Sequence, residues 1–151
     1  MNAAADDVST LCLACGFCCD GTLFTAVPLG VEESPRLPTT TRANGSRVLL
    51  QPCAALNGTC CTMYEARPLA CRRYECLLLI ALKAGETSLQ PALEIVAEAK
   101  RRIARLPPAN DSQRVSALQQ ARERHSQGDE ISPEFEAAEQ YLKFNFAGHR
   151  R

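Results

Sequence analysis

The longest purely apolar stretch of the chain, Cys76 to Leu82, is far short of the roughly 18 to 20 residues that a membrane span requires. A net charge is also missing. Lys plus Arg and Asp plus Glu both number 17, and a pI near 6.7 leaves no global attraction for nucleic acid or an anionic membrane, so neither is expected as a partner. The opening residues, Met1-Asn2-Ala3-Ala4-Ala5-Asp6-Asp7, have neither the basic stretch nor the apolar core of a secretory signal, and a cytoplasmic setting is expected. No phosphate-binding loop and no Ser-His-Asp arrangement is visible, so no independent catalytic activity is assigned. The two histidines, His125 and His149, are remote in sequence from every cysteine and read as solvated helix residues. Cysteine itself is absent from the last 75 residues.

All 9 cysteines fall between Cys12 and Cys76 in a chain of 151 residues, the length of one ordinary domain. They read Cys12-x2-Cys15-x2-Cys18-Cys19, then Cys53, Cys60-Cys61, Cys71 and Cys76. In a reducing compartment such clustering points to metal ligation, with disulfides as the main competing reading. A C-x2-C pair lets two thiolates reach one metal from a single turn, and a third thiolate two residues on, with a remote fourth, can wrap a cubane cluster. Zinc and iron-sulfur both fit. Adjacent Cys18 and Cys19 cannot take the same position around one ion without strain, so they serve different metals or bridge two. A bacterial ferredoxin would place its next cysteine where Thr22 stands, and the other enzyme motifs built on clustered cysteines do not match either.

Around this cluster, Asp6 to Asp20 reads as a tight loop, too crowded with ligands for regular structure. Thr22 to Val27 and Arg47 to Leu50 are β-branched and apolar, bounded by Gly or Pro, and predict two short strands that pair. Glu32-Glu33-Ser34 suggests a turn of helix, and Asn44-Gly45-Ser46 and Asn57-Gly58-Thr59, although they match a glycosylation pattern, read as turns. Pro68 at a helix start and Gly85 as its stop predict one helix over about Pro68 to Lys83. Cys71 then lies in its first turn, where the helix dipole favours a thiolate. Cys76, five residues on, points roughly 140° away, toward a different centre. Leu89, Leu93, Val96, Ala99, Ile103 and Leu106 mark a second helix ended by Pro107-Pro108. Val115, Leu118, Arg122 and His125 continue more weakly, and Phe135, Ala138, Leu142 and Phe146 mark a last helix entered through Ser132-Pro133.

The segments Cys12-Leu13-Ala14-Cys15-Gly16-Phe17-Cys18-Cys19-Asp20-Gly21-Thr22-Leu23-Phe24, Pro52-Cys53 and Cys61-Thr62-Met63-Tyr64-Glu65-Ala66-Arg67-Pro68-Leu69-Ala70-Cys71-Arg72 resemble the YkgJ-type CxxCxxCC family over roughly residues 8 to 80. That resemblance implies a bacterial zinc- or iron-chelating domain and leaves the metal and the reaction open. It carries the family's cysteines onto Cys12, Cys15, Cys18, Cys19, Cys53, Cys61 and Cys71, with Cys76 as an eighth; Cys60 is extra. Flagellin lysine methylases are longer proteins with a similar cysteine module, so an accessory role in modification is implied as well.

Eight thiolates would fill two four-sulfur sites, and two dications or two dicationic cluster cores would leave a net charge of about −4. Arg67, Arg72 and Arg73 lie beside these ligands and are candidates to hydrogen-bond sulfur or offset that charge. The expectation is a small α+β protein with an irregular cysteine module and short hairpin over residues 1–88. About four helices are expected, the first over Pro68 to Lys83, with residues 89–151 as a helical extension packed on the module as one domain. Its expected partners are metal ions, as a 4Fe-4S-type cluster or zinc, and a partner protein. Its expected role is redox, iron handling or service to a partner enzyme, with a zinc-stabilised interaction module as the alternative.

Overall fold

The computed structural model describes residues 3–108 and 116–147, and Val115 and His149 lie outside them. In chain order the elements are α1 (Ala3–Cys15), β1 (Ala26–Pro28), β2 (Thr40–Thr41), β3 (Arg47–Leu50), β4 (Leu56–Asn57), β5 (Cys60–Cys61), a 3-10 turn (Tyr64–Ala66), α2 (Leu69–Arg73), α3 (Leu77–Lys83), α4 (Leu89–Ala104), α5 (Ala117–Ser126) and α6 (Pro133–Asn145). The fold is α+β, with six α-helices among the described residues beside two small antiparallel sheets. The chain forms two compact units, one of Met1–Cys15 with Glu75–Arg151 and one of Gly16–Tyr74.

The first unit is helical. Val8, Leu11, Cys12 and Cys15 recur at i, i+3, i+4 and i+7, and Leu11 is only 2% exposed, so the segment expected to be an irregular loop is α1 instead. Its end is fixed at both chain and side-chain level. Gly16 takes φ +72, and the Lys100 ammonium donates to the Ala14 carbonyl at 2.5 Å, satisfying one of the orphaned carbonyls of the last turn. Helix α4 packs against α1, α3, α5 and α6. Its buried positions, Ala92, Val96 and Ala99, are small, which lets neighbouring helices approach closely. Leu118, Phe135, Ala138, Leu142 and fully buried Phe146 complete this core from α5 and α6. Ser116 and Gln119 close a capping box on α5, and the Ser132 hydroxyl accepts from the Phe135 amide with Pro133 in the first turn of α6, as its Ser-Pro entry predicts.

The second unit is built on the sheet β1-β3-β2. Val27 opposite Leu49 and Pro28 opposite Val48 set the antiparallel register of β1 with β3, the pairing expected from their composition. The first strand is shorter than expected, because the Asp20 carboxylate accepts from the Thr22 amide at 2.8 Å and Leu23 N–H reaches the Phe17 carbonyl, which curls Thr22 and Leu23 into a turn. Gly45 and Gly58, at φ +83 and +63, form the two Asn-Gly turns. Glu33 is in a turn rather than a helix, with its amide on the Gly30 carbonyl.

The single helix expected over Pro68 to Lys83 is broken. Helix α2 ends at Arg73, Tyr74 is extended at ψ 131, and Cys76 opens α3 as its N-cap, its sulfur accepting from the Leu79 amide at 3.4 Å. No Gly or Pro causes this. Within the second unit the Tyr74 ring stands edge-on against Phe24, centroids 4.5 Å apart, holding Tyr74 out of the helical conformation. The 140° separation of Cys71 and Cys76 therefore does not follow.

Candidate metal centre

Four cysteines of the second unit are linked electrostatically, Cys19 and Cys71 each to Cys53 and Cys61 and Cys19 also to Cys71, and each is delivered by a different local device. Cys19 comes from the turn after α1: Gly16 O accepts from both Cys19 N and Asp20 N, and Phe17, 2% exposed, anchors the turn. This turn lies directly against the tip of the β4–β5 hairpin. A Cβ at Gly16 would come 3.3 Å from Thr59 Cα, so a side chain there would crowd the hairpin's backbone. Cys61 stands on that hairpin, opposite Leu56. Alternation along β5 leaves Cys61 half-buried and Cys60 exposed. Cys53 enters through its own amide, which donates to the Cys19 carbonyl at 2.7 Å, and the Ala55 carbonyl, two residues on, accepts from both the amide and hydroxyl of Thr62.

Cys71 stands on α2, whose first residue is fixed from outside: the Glu33 carboxylate accepts the Leu69 amide at 2.6 Å and the Gly30 amide at 2.7 Å. These two backbone bonds, aided by Arg72 and Arg47, hold the Glu33 carboxyl below the usual carboxylate range. The sequence suggests only a turn of helix at Glu32-Glu33-Ser34 and no role for Glu33 at the site, because a pair of acidic residues between a Gly and a Pro carries no metal-ligand signal.

Burial pushes the Cys19 thiol up to about 12, and the nearby Cys53, Cys61 and Cys71 thiolates and Asp20 push in the same direction. Burial likewise raises Cys71, reinforced by Cys53, Cys61 and Glu33 and opposed by Arg67. The helix-dipole effect expected to favour a Cys71 thiolate is therefore outweighed. Cys76 is raised by burial, against three backbone hydrogen bonds that favour its thiolate. Four soft donors that repel one another as thiolates are a donor set suited to a thiophilic cation, which removes the repulsion. As they stand, no three His, Cys, Asp or Glu side chains among the described residues converge on one point.

The remaining candidates are distributed as follows. Cys12 and Cys15 lie at i, i+3 on the last turns of α1, and Cys76 caps α3, so all three belong to the helical unit. Cys18 is exposed beside Cys19. The Arg67 guanidinium lies 3.7 Å above the Tyr64 ring and donates to the Tyr64 carbonyl at 2.8 Å, which fixes it near Cys71. Arg72 faces Glu33, and both Arg72 and Arg73 are exposed. His125 is exposed on α5, its ring tilted against Phe135.

A family model matches residues 11–101, that of CxxCxxCC, described as "Putative zinc- or iron-chelating domain". The match covers more than half of the chain, and the protein belongs to this family of metal-chelating domains. No curated protein and no solved structure matches it. No helix among the described residues is long and apolar enough to cross a membrane.

Proposed function

We propose that Cys19, Cys53, Cys61 and Cys71 hold one metal centre, and that the protein serves redox chemistry, iron handling or a partner enzyme through it. The observation that carries this reading is the backbone bond from the Cys53 amide to the Cys19 carbonyl, which joins the motif turn to the segment after β3; the Cys19 thiol, raised by burial and by the charges of Cys53, Cys61, Cys71 and Asp20, agrees with it. Cys12, Cys15 and Cys76 are the thiols of the helical unit available to a second centre, with Cys18 exposed beside the first.

In this centre the chain's own residues do separable things. Cys19 and Cys53 are tied through one backbone bond, Cys61 is aimed by strand alternation, and Cys71 is held by the fixed start of α2. The Arg67 cation, locked on Tyr64, offsets negative charge beside Cys71. An iron-sulfur cluster bound here would supply one-electron transfer, whereas zinc would supply a structural cross-link. Closed four-cysteine ligation leaves no open position for Lewis-acid hydrolysis. The distance in sequence of both histidines from every cysteine favours iron slightly over the alternative of a zinc-stabilised interaction module, since zinc sites commonly include imidazole although four-cysteine zinc sites are common too.

Metal analysis with a visible spectrum on protein purified without oxygen tests this reading. Cysteine-bound metal with brown charge-transfer absorption supports iron-sulfur, and colourless stoichiometric zinc supports the interaction module. Loss of free thiols without bound metal overturns both.

A further inference from the structure

Helix α2 has five residues, too few to hold its own direction, since a single isolated turn is unfavourable in water. What orients Cys71 must therefore lie outside α2. Its C-terminal end is held by Tyr74 against Phe24. At its N-terminal end, Pro68 has no amide to contribute, so the Leu69 amide is the first donor of the helix, and Glu33 takes it from 36 positions away in the sequence.

Glu33 is itself immobilised. The Arg47 guanidinium on β3 donates to the carbonyls of Gly30, Val31 and Glu33 at 3.0, 3.1 and 2.5 Å, and the Leu29 amide reaches the Arg47 carbonyl at 3.0 Å. The second carboxylate oxygen of Glu33 closes the same loop on Gly30 N–H. A continuous path thus runs from the central strand of the sheet through the Arg47 guanidinium to the Glu33 backbone carbonyl, along the Glu33 side chain to its carboxylate, and by hydrogen bond to the residue two before Cys71.

We infer that Glu33 is a positioning residue for the metal centre: its carboxylate links the Arg47-anchored loop to the start of α2 and so sets where the Cys71 sulfur stands. The inference rests on the proposed four-cysteine centre for its effect on metal, but its structural content does not depend on that centre. Glu33→Ala removes both acceptors. Glu33→Asp keeps the charge but is one methylene too short to reach both amides, so it recovers only part of the effect.

The test uses the full chain with Co2+ as the probe, and in parallel alkylates the metal-free protein with iodoacetamide and reads each cysteine by mass spectrometry. Glu33→Ala is expected to weaken Co2+ binding about 10-fold or more, the usual size of an effect exerted through a ligand's hydrogen-bonded support. In a Cys71→Ser background, where the three remaining thiols bind added Co2+ too weakly to keep it through purification, the same substitution should change that residual affinity by less than about 2-fold, because the residue it acts through is gone. In the metal-free protein, Glu33→Ala should speed alkylation of Cys71 and leave Cys76 unchanged. Equal loss of Co2+ affinity in both backgrounds, or equal acceleration at all cysteines, overturns the inference. If the wild-type chain takes up no Co2+, the metal reading fails and the alkylation pattern alone decides the role of Glu33.

Discussion

The amide of Cys53 donates to the carbonyl of Cys19 at 2.7 Å, so two cysteines far apart in the sequence share a backbone bond before any metal is considered. The motif turn and the segment after β3 are therefore one structural piece. If these two thiols ligate a metal as proposed, held this way they lose little conformational freedom on binding, which is the condition for tight chelation.

Serine substitution should sort the cysteines into groups. Cys19→Ser, Cys53→Ser, Cys61→Ser and Cys71→Ser should each abolish the same single equivalent of bound metal, measured by elemental analysis of protein purified without oxygen. Cys60→Ser should retain it, since strand alternation leaves Cys60 exposed on β5 beside Cys61. Retention of that equivalent in any of the first four variants removes that residue from the centre.

The raised Cys19 thiol gives the metal-free protein a defined pH dependence. Folding favours the protonated thiol, so its contribution to stability is complete below the unfolded-state value near 9.0 and is lost as pH rises toward about 12. Metal-free wild type should therefore lose thermal stability between pH 9 and 12 more steeply than Cys19→Ser. Binding of metal releases these protons, so affinity should rise with pH over the same interval. Parallel melting curves for wild type and Cys19→Ser across that range would contradict the assignment.

Much of the scaffold was legible because it follows local rules. The pairing of β1 with β3, α4 ending at Ala104 shortly before Pro107-Pro108, and the Ser132-Pro133 start of α6 each rest on periodicity, punctuation or a cap that a short window of sequence contains. The misses share a different cause. Cys12 and Cys15 sit on the same helical stripe as Val8 and Leu11, but read as ligands alone they hid the helix they belong to. The break at Tyr74 arises from an aromatic contact with Phe24, 50 positions earlier, and Glu33 acts on Leu69 across 36 positions. No local pattern records either contact.

Gly16 should tolerate no side chain. Its φ of +72 disfavours every L-residue, and a Cβ would press on Thr59 backbone at 3.3 Å. Gly16→Ala should cost about 1–2 kcal/mol in chemical denaturation from the backbone conformation alone. Gly58→Ala, at φ +63 but with open space around its Cβ, should cost the backbone part and leave metal content unchanged. Equal loss of metal in the two variants would show that the Gly16–Thr59 approach is not what holds the motif turn against the hairpin.

The final prediction concerns metal removal. The buried apolar side chains of the second unit are few, chiefly Phe17, Val27, Val48, Leu49 and Ala55, and its strands are two to four residues long. Such a unit is too small to be stabilised by hydrophobic burial alone, so ligation should supply much of its folding free energy. The helical unit has its own core around α4, with Ala92, Val96, Ala99, Leu118, Leu142 and Phe146 buried. After complete chelation, limited proteolysis should cut first within residues 16–74, while fragments spanning α4 persist and far-UV circular dichroism keeps most of its helical signal. Lys100→Met, which strips the Ala14 carbonyl of its partner, should instead destabilise the helical unit by about 1 kcal/mol without changing where chelation-induced cleavage begins. Cleavage that begins in α4 after chelation, or a cysteine unit equally resistant with and without metal, would show that the thiols do not hold this part of the chain together.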